Sequence, residues 1–166
     1  MIEQATTLWS VDLDESSAEF SVRTFWGLTT VHGRFDRFDG SYEIGPAGTT
    51  IELTIDADSL DTGNGTRDKH LRSSSFFDVG EHPLVRFTST RVHTVAGGVL
   101  HVAGHLEAAG RRVLLEFPAT VRPVDGGLDI EATTTVDQRR LGMSSGTLGM
   151  IRRPVTLHVK SHLSRP

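Results

Sequence analysis

The chain has 166 residues, of which 37% are hydrophobic and 23% charged, with a formal net charge of −4. This composition fits one globular domain over residues 1–166 and excludes a disordered chain. The acidic balance provides no basic field for nucleic acid, and the absence of cysteine excludes a disulfide framework, a thiolate metal site or a cysteine nucleophile. No apolar run reaches the roughly 18 residues of a membrane helix. The opening MIEQATTLWSVD lacks the charged and apolar regions of a signal peptide. A cytoplasmic protein without stable membrane insertion is expected.

Apolar residues recur with period 2 along almost the whole chain, the mark of half-buried strands. In chain order the apolar faces read Trp9-Val11-Leu13, Ala18-Phe20-Val22, Val31-Gly33-Phe35 and Ile51-Leu53-Ile55-Ala57. They continue with Val85-Phe87, Leu100-Val102-Gly104-Leu106, Val113 to Val121, Leu128 to Val136, and Val155-Leu157-Val159. Turn residues at Asp14–Ser17, Gly45–Gly48, Gly97–Gly98, Ala109–Gly110 and Asp125–Gly127 separate about nine such runs. Gly-Gly and Asp-Gly pairs supply the positive φ of tight hairpins. The pattern predicts an all-β domain, a meandering sandwich or an antiparallel barrel. One short helix is predicted over Asn64–Arg72, with Thr66 as its N-cap.

Several residues on the apolar faces are small, namely Gly33, Gly104, Ala119, Ala132 and Thr134. Inside a barrel of about eight strands such residues leave volume for a small ligand, unless bulky neighbours such as Phe35 and Phe117 fill it. The inward residues expected to line a cavity are Phe20, Val22, Phe35, Leu53, Phe87, Phe117 and Ile130.

Few residues suggest other chemistry. His101 and His105 are four apart, but on a strand that spacing places them roughly 13 Å apart, too far to share a metal. No metal or cofactor is expected. Arg67, Asp68, Lys69, His70 and Arg72 form the densest polar cluster, followed by Phe76 and Phe77. The cluster could recognise a polar head group, or Arg67 and Asp68 could cap the helix and pair with neighbouring loops while Leu71, Phe76 and Phe77 plug the side of the barrel. A hydrolase or isomerase acting through His70 and Asp68 is the competing reading, although no G-x-S-x-G nucleophile turn is present. The basic pairs Arg139-Arg140 and Arg152-Arg153 read as solvated loop charges, and Met143 and Met150 as gap-fillers or a soft gate.

The block Ser59-Leu-Asp-Thr-Gly63, Arg67-Asp-Lys-His-Leu-Arg72, Phe76-Phe-Asp78, His82-Pro83 and Phe87-Thr-Ser89 resembles the YceI-like family. Gly33-Arg-Phe35, Phe38-Asp-Gly40, Gly104-His-Leu106 and Gly110 extend the resemblance, which runs from about Trp9 to Leu163. The resemblance implies a lipocalin-like antiparallel barrel of about eight strands, with one or two short helices near the mouth, and it makes Arg67, Asp68, His70, Leu71, Phe76 and Phe77 the mouth candidates. It implies a binding protein rather than an enzyme. The ligand class would be a polyisoprenoid, an isoprenoid quinone or a fatty-acid-like lipid, held for transport, storage or sequestration. Sequestration of apolar antibiotics is a further alternative. The expected partner is thus a lipid or isoprenoid small molecule, and a homodimer is compatible with the chain. Three polar stretches depart from the family pattern: Asp12-Leu-Asp-Glu-Ser16 carries Glu15 where the family has histidine, Thr24-Phe-Trp-Gly27 lacks a histidine, and Asp137-Gln-Arg-Arg-Leu-Gly-Met143 differs from D-R-x-D-F-G.

Overall fold

The structure, a computed structural model, describes residues 6–24, 29–142 and 154–165. The alternating runs form the strands β1 (Thr7–Thr24), β2 (Thr29–Phe35), β3 (Phe38–Gly45), β4 (Gly48–Asp56), β5 (Leu60–Asp61), β6 (Leu84–Val95), β7 (Val99–Ala108), β8 (Arg111–Val124), β9 (Gly127–Asp137) and β10 (Pro154–Ser164). A single α-helix, α1 (Gly65–Leu71), lies between β5 and β6 among the described residues. The sheet order is β10-β9-β8-β7-β6-β4-β3-β1-β2-β5, and β10 also pairs with β1. That last pairing closes the sheet into a barrel, and among the described residues only the two-residue β5 ends the strand order unpaired on one side.

β2 and β3 act as one bent strand. β3 pairs with the first residues of β1 and β2 with the last, so the closed barrel has eight antiparallel strands. Where β2 bends away from the wall its far edge is covered by β5, with Arg34 opposite Asp61 and Phe35 opposite Leu60. The hairpin turns follow the turn chemistry of the sequence. Ala109 and Gly110 both take positive φ, 50° and 77°, the pattern of a two-residue turn matched to strand twist.

Two local expectations are corrected. Asp14–Ser17 does not divide two strands. β1 runs unbroken for 18 residues, and its register against β10 shifts between Asp12 and Ser17. The bulge satisfies its own backbone: Asp14 N–H donates to Asp12 Oδ1 at 3.1 Å and His162 N–H to Ser16 Oγ at 2.9 Å. Leu13 is thereby turned outward and is 41% exposed. The helix is capped by Asn64, whose side chain accepts from Arg67 N–H at 3.1 Å, and not by Thr66.

The seam between β1, β10 and β9 carries ion pairs on its outer face. His162 Nδ1 lies 2.7 Å from Asp129 on β9, and its Nε2 lies 3.3 Å from Glu15 in the β1 bulge. The hydrogen bond to Asp129 raises the His162 imidazole above its ordinary pKa, and Glu15 adds to the rise. The same bond lowers the Asp129 carboxyl, helped by Arg122. His158 repeats the arrangement, 2.8 Å from Glu131 and 3.9 Å from Glu19.

Inside, the two-residue alternation puts Phe20, Phe35, Phe87, Leu106, Leu115 and Val102 in one apolar cluster, each buried. Burying a side chain of this size contributes about 1.5–3 kcal/mol, so the interior rather than the outer ion pairs holds the barrel together.

Candidate functional site

The barrel is not filled. A cavity of about 160 Å³ lies along its axis, from Val11, Tyr42 and Leu163 at one end to Phe77 and Leu141 at the other. The first end carries the β3–β4, β6–β7 and β8–β9 hairpin turns, and the second carries α1 and the β7–β8 turn. Its wall is apolar. The two carboxylates that touch it, Glu19 and Glu52, are exposed residues of the outer face, so no buried charge faces the void. Burial pushes the Tyr42 phenol above its ordinary pKa, partly offset by a hydrogen bond with Thr49.

Five of the seven residues predicted to line a cavity border it: Phe35, Leu53, Phe87, Phe117 and Ile130. Phe20 and Val22 are buried but do not border it. The Phe20 ring instead crosses to the neighbouring strand and occupies the space that a Cβ on Gly33 would need. There it meets the rings of Phe35 and Phe77, with centroids 5.3 and 6.3 Å away, and Phe35 and Phe77 stand 5.8 Å apart edge to face. This aromatic triad ends the cavity on the β1–β2 side. Val22, opposite Val31, lies beyond it.

The small inward residues divide the same way. At Gly33 the space is taken by Phe20, and at Gly104 by the Phe87 ring and the backbone of Thr88 and Ser89. Only Ala119, Ala132 and Thr134 border the void. Those two glycines therefore serve close packing, and two alanines and a threonine supply the volume. Sequence reasoning missed Tyr42, Leu141 and Leu163. Tyr42 lies two residues beyond Gly40 on the same alternating face, a signal that was available.

At the helix end the polar residues are engaged with one another. Arg67 donates from Nε to Thr62 Oγ1 and from Nη2 to Thr62 O, each at 2.8 Å. Asp68, buried, accepts from the Thr62 N–H at 2.9 Å and from its hydroxyl. Arg72 reaches Leu60 O at 2.8 Å, Ser59 Oγ accepts from Arg37 N–H at 3.0 Å, and Asp61 accepts from Gly63 N–H at 2.8 Å. With Phe77 N–H donating to Leu71 O at 3.0 Å, the segment from Ser59 to Phe77 is a largely self-bonded strap across the barrel end. It presents buried Leu71 and Phe76, and Phe77, which borders the void. His70 is exposed and rests edge-on against Phe76 at 5.1 Å. Among the described residues no hydrogen bond joins His70 to Asp68. Arg140 is exposed, and Met143, Met150, Arg152 and Arg153 lie outside the described residues. Among the described residues no helix is long and apolar enough to cross a membrane.

A UPF0312 protein of Yersinia enterocolitica is 40% identical over 107 residues, covering 61% of this chain and 55% of the relative. The chain spans about half the length of the curated relatives it matches. Among solved structures, Burkholderia cenocepacia BcnA superposes with a TM-score of 0.79 at 21% identity, over 92% of this chain and 98% of that one. A polyisoprenoid binding domain from Saccharophagus degradans superposes with a TM-score of 0.76 at 18% identity, over 95% and 98%. These superpositions share the closed barrel. The YceI-like domain matches residues 9–163, strap and closing seam included, and the chain belongs to the YceI-like family.

Proposed function

We propose that this barrel binds one long apolar or amphiphilic chain, of the polyisoprenoid, isoprenoid-quinone or fatty-acid class, to carry or sequester it. The observation that supports the reading most is the axial cavity without a buried charge. Apolar surface leaving water gains about 25 cal/mol per Å². A chain burying roughly 400 Å² would gain about 10 kcal/mol before ordering costs.

The volume sets a condition on this reading. A void of about 160 Å³ takes a ring or a short stretch of chain, since a cavity of about 150 Å³ holds benzene. A longer occupant requires side chains to turn. Phe77 is the one suited to do so, because it hangs from the strap rather than from the sheet. In this reading the strap residues Arg67, Asp68, His70, Leu71 and Phe76 hold Phe77 in place at the mouth.

Native mass spectrometry of the protein mixed with an octaprenyl quinone tests the proposal. A one-to-one adduct that survives desolvation is expected. Protein that stays free of quinone and of fatty acid at saturating lipid would overturn it.

A further inference from the structure

We propose that the Ser161 hydroxyl holds the polar end of the occupant, donating to an uncharged oxygen such as a ketone, quinone or ester carbonyl. This rests on the apolar-ligand reading and adds a head-group chemistry and a position to it. Among the described residues the buried polar ones are Ser59, Asp68 and Ser161. Ser59 and Asp68 are hydrogen-bonded through their side chains. Among the described residues nothing bonds the Ser161 hydroxyl. A buried hydroxyl without a partner is costly, and native structures keep few of them.

The strand places that hydroxyl on the void. Val155, Leu157, Val159, Ser161 and Leu163 form the inward row of β10, and each borders the cavity. His158 and His162, which alternate with them, meet carboxylates on the outer face. Ser161 is only 7% exposed. Its oxygen is nevertheless not sealed in, because among the described residues only Trp9 Nε1 is a side-chain polar atom both sealed and unpartnered. The space that the oxygen reaches from the inward row is the cavity. There is room beside it. Asp12 pairs with His162 and Ser17 with Lys160, so Leu13 to Ser16 stand against Ser161 alone. None of them borders the cavity, so β1 sends no side chain inward between Val11 and Ala18. A bound water wants about two to four polar partners. The side chains of Val159, Leu163 and Ile130, the last directly opposite on β9, offer none.

The charges around the void select the acceptor. Among the described residues no lysine, arginine or histidine borders the cavity. Lys160 and His162, on either side of Ser161, alternate to the outer face, where Asp129 and Glu15 engage His162. A carboxylate or phosphate at Ser161 would lose its water and meet no counter-ion inside the barrel, which is costly. An uncharged carbonyl asks only for the hydrogen bond. Ser161 lies one inward position from Leu163, so the polar group sits toward the hairpin end and the tail runs toward Phe77.

The test titrates the wild type and Ser161→Ala with butyrophenone and with butylbenzene, which has the same carbon skeleton without the carbonyl oxygen. The substitution should weaken butyrophenone about threefold to tenfold and leave butylbenzene within about twofold. Equal effects on both probes would overturn the anchor while leaving apolar binding intact. Failure of both probes to bind the wild type would overturn both readings. Ionised 4-phenylbutanoic acid binding the wild type more tightly than butyrophenone, and losing that advantage in Ser161→Ala, would overturn the uncharged head group. The ligand-free Tm of Ser161→Ala should equal or exceed that of the wild type, because no hydrogen bond is lost. A fall of more than about 3 °C would show a structural bond and overturn the proposal. A further measurement needs no variant. The infrared carbonyl band of butyrophenone bound to the wild type should lie below its position in hexane, the mark of a hydrogen-bonded carbonyl, and a band at the hexane position would overturn the proposal.

Discussion

The Phe20 ring lies across Gly33 on the neighbouring strand, where any Cβ would collide with it. The ring cannot retreat freely, because Phe35 and Phe77 stand 5.3 and 6.3 Å from it. Gly33→Ala is therefore expected to cost about 1–3 kcal/mol by overpacking, lowering Tm by roughly 2–4 °C per kcal/mol. Phe20→Leu shortens the side chain that collides. Adding it to Gly33→Ala should cost less than the sum of the two single changes, by more than about 0.5 kcal/mol. Thermal denaturation of the four proteins gives the coupling directly, and strict additivity would contradict the contact.

Asp68 fastens the strap through Thr62. Asp68→Ala leaves the Thr62 N–H without its acceptor and should destabilise by about 1–3 kcal/mol. The loss should be local first. Hydrogen exchange should speed over residues 60–77 while β7 and β8 keep their protection. Uniform loss of protection would mean that the strap and barrel open together.

The closing seam predicts a pH dependence. The His162 pKa is raised by Asp129, so its contribution is full below the unfolded-state pKa and is lost as pH rises through the folded value. The Asp129 pKa is lowered, so its contribution is present above its unfolded value and is lost as pH falls through the folded one. Both act together in mildly acidic solution. The Tm advantage of wild type over His162→Gln should be largest near about pH 5.5 and shrink above about pH 8. A gap that grows with alkalinity would contradict the pairing.

Much of the barrel was legible because the period of a strand is short and local. Phe35, Leu53 and Phe117 face inward as their alternation requires, and Ala109-Gly110 turns as its residues allow. The bulge in β1 was not legible. Asp14 and Ser16 carry turn chemistry, and only the partner strand, through His162, shows that they decorate a continuous strand. The cavity was half legible. Small inward residues signal volume, but what fills it comes from the neighbouring strand, as Phe20 does at Gly33 and Phe87 at Gly104. The pairing of Thr62 with Arg67 and Asp68 is hidden for the same reason, since a motif shows which groups lie near one another and not which of them bond.

The central claim is that an apolar chain is held inside the barrel. Ala132 borders the void, opposite Ala119 and Val159. Ala132→Phe would place a ring where the chain must pass. Titration of wild type and Ala132→Phe with an octaprenyl quinone, with Tm recorded for both, tests the claim most directly. The account predicts a saturable one-to-one complex for the wild type and at least about tenfold weaker binding for the variant at a Tm within a few degrees. Equal uptake by the two folded proteins would place the ligand outside the barrel and contradict the account.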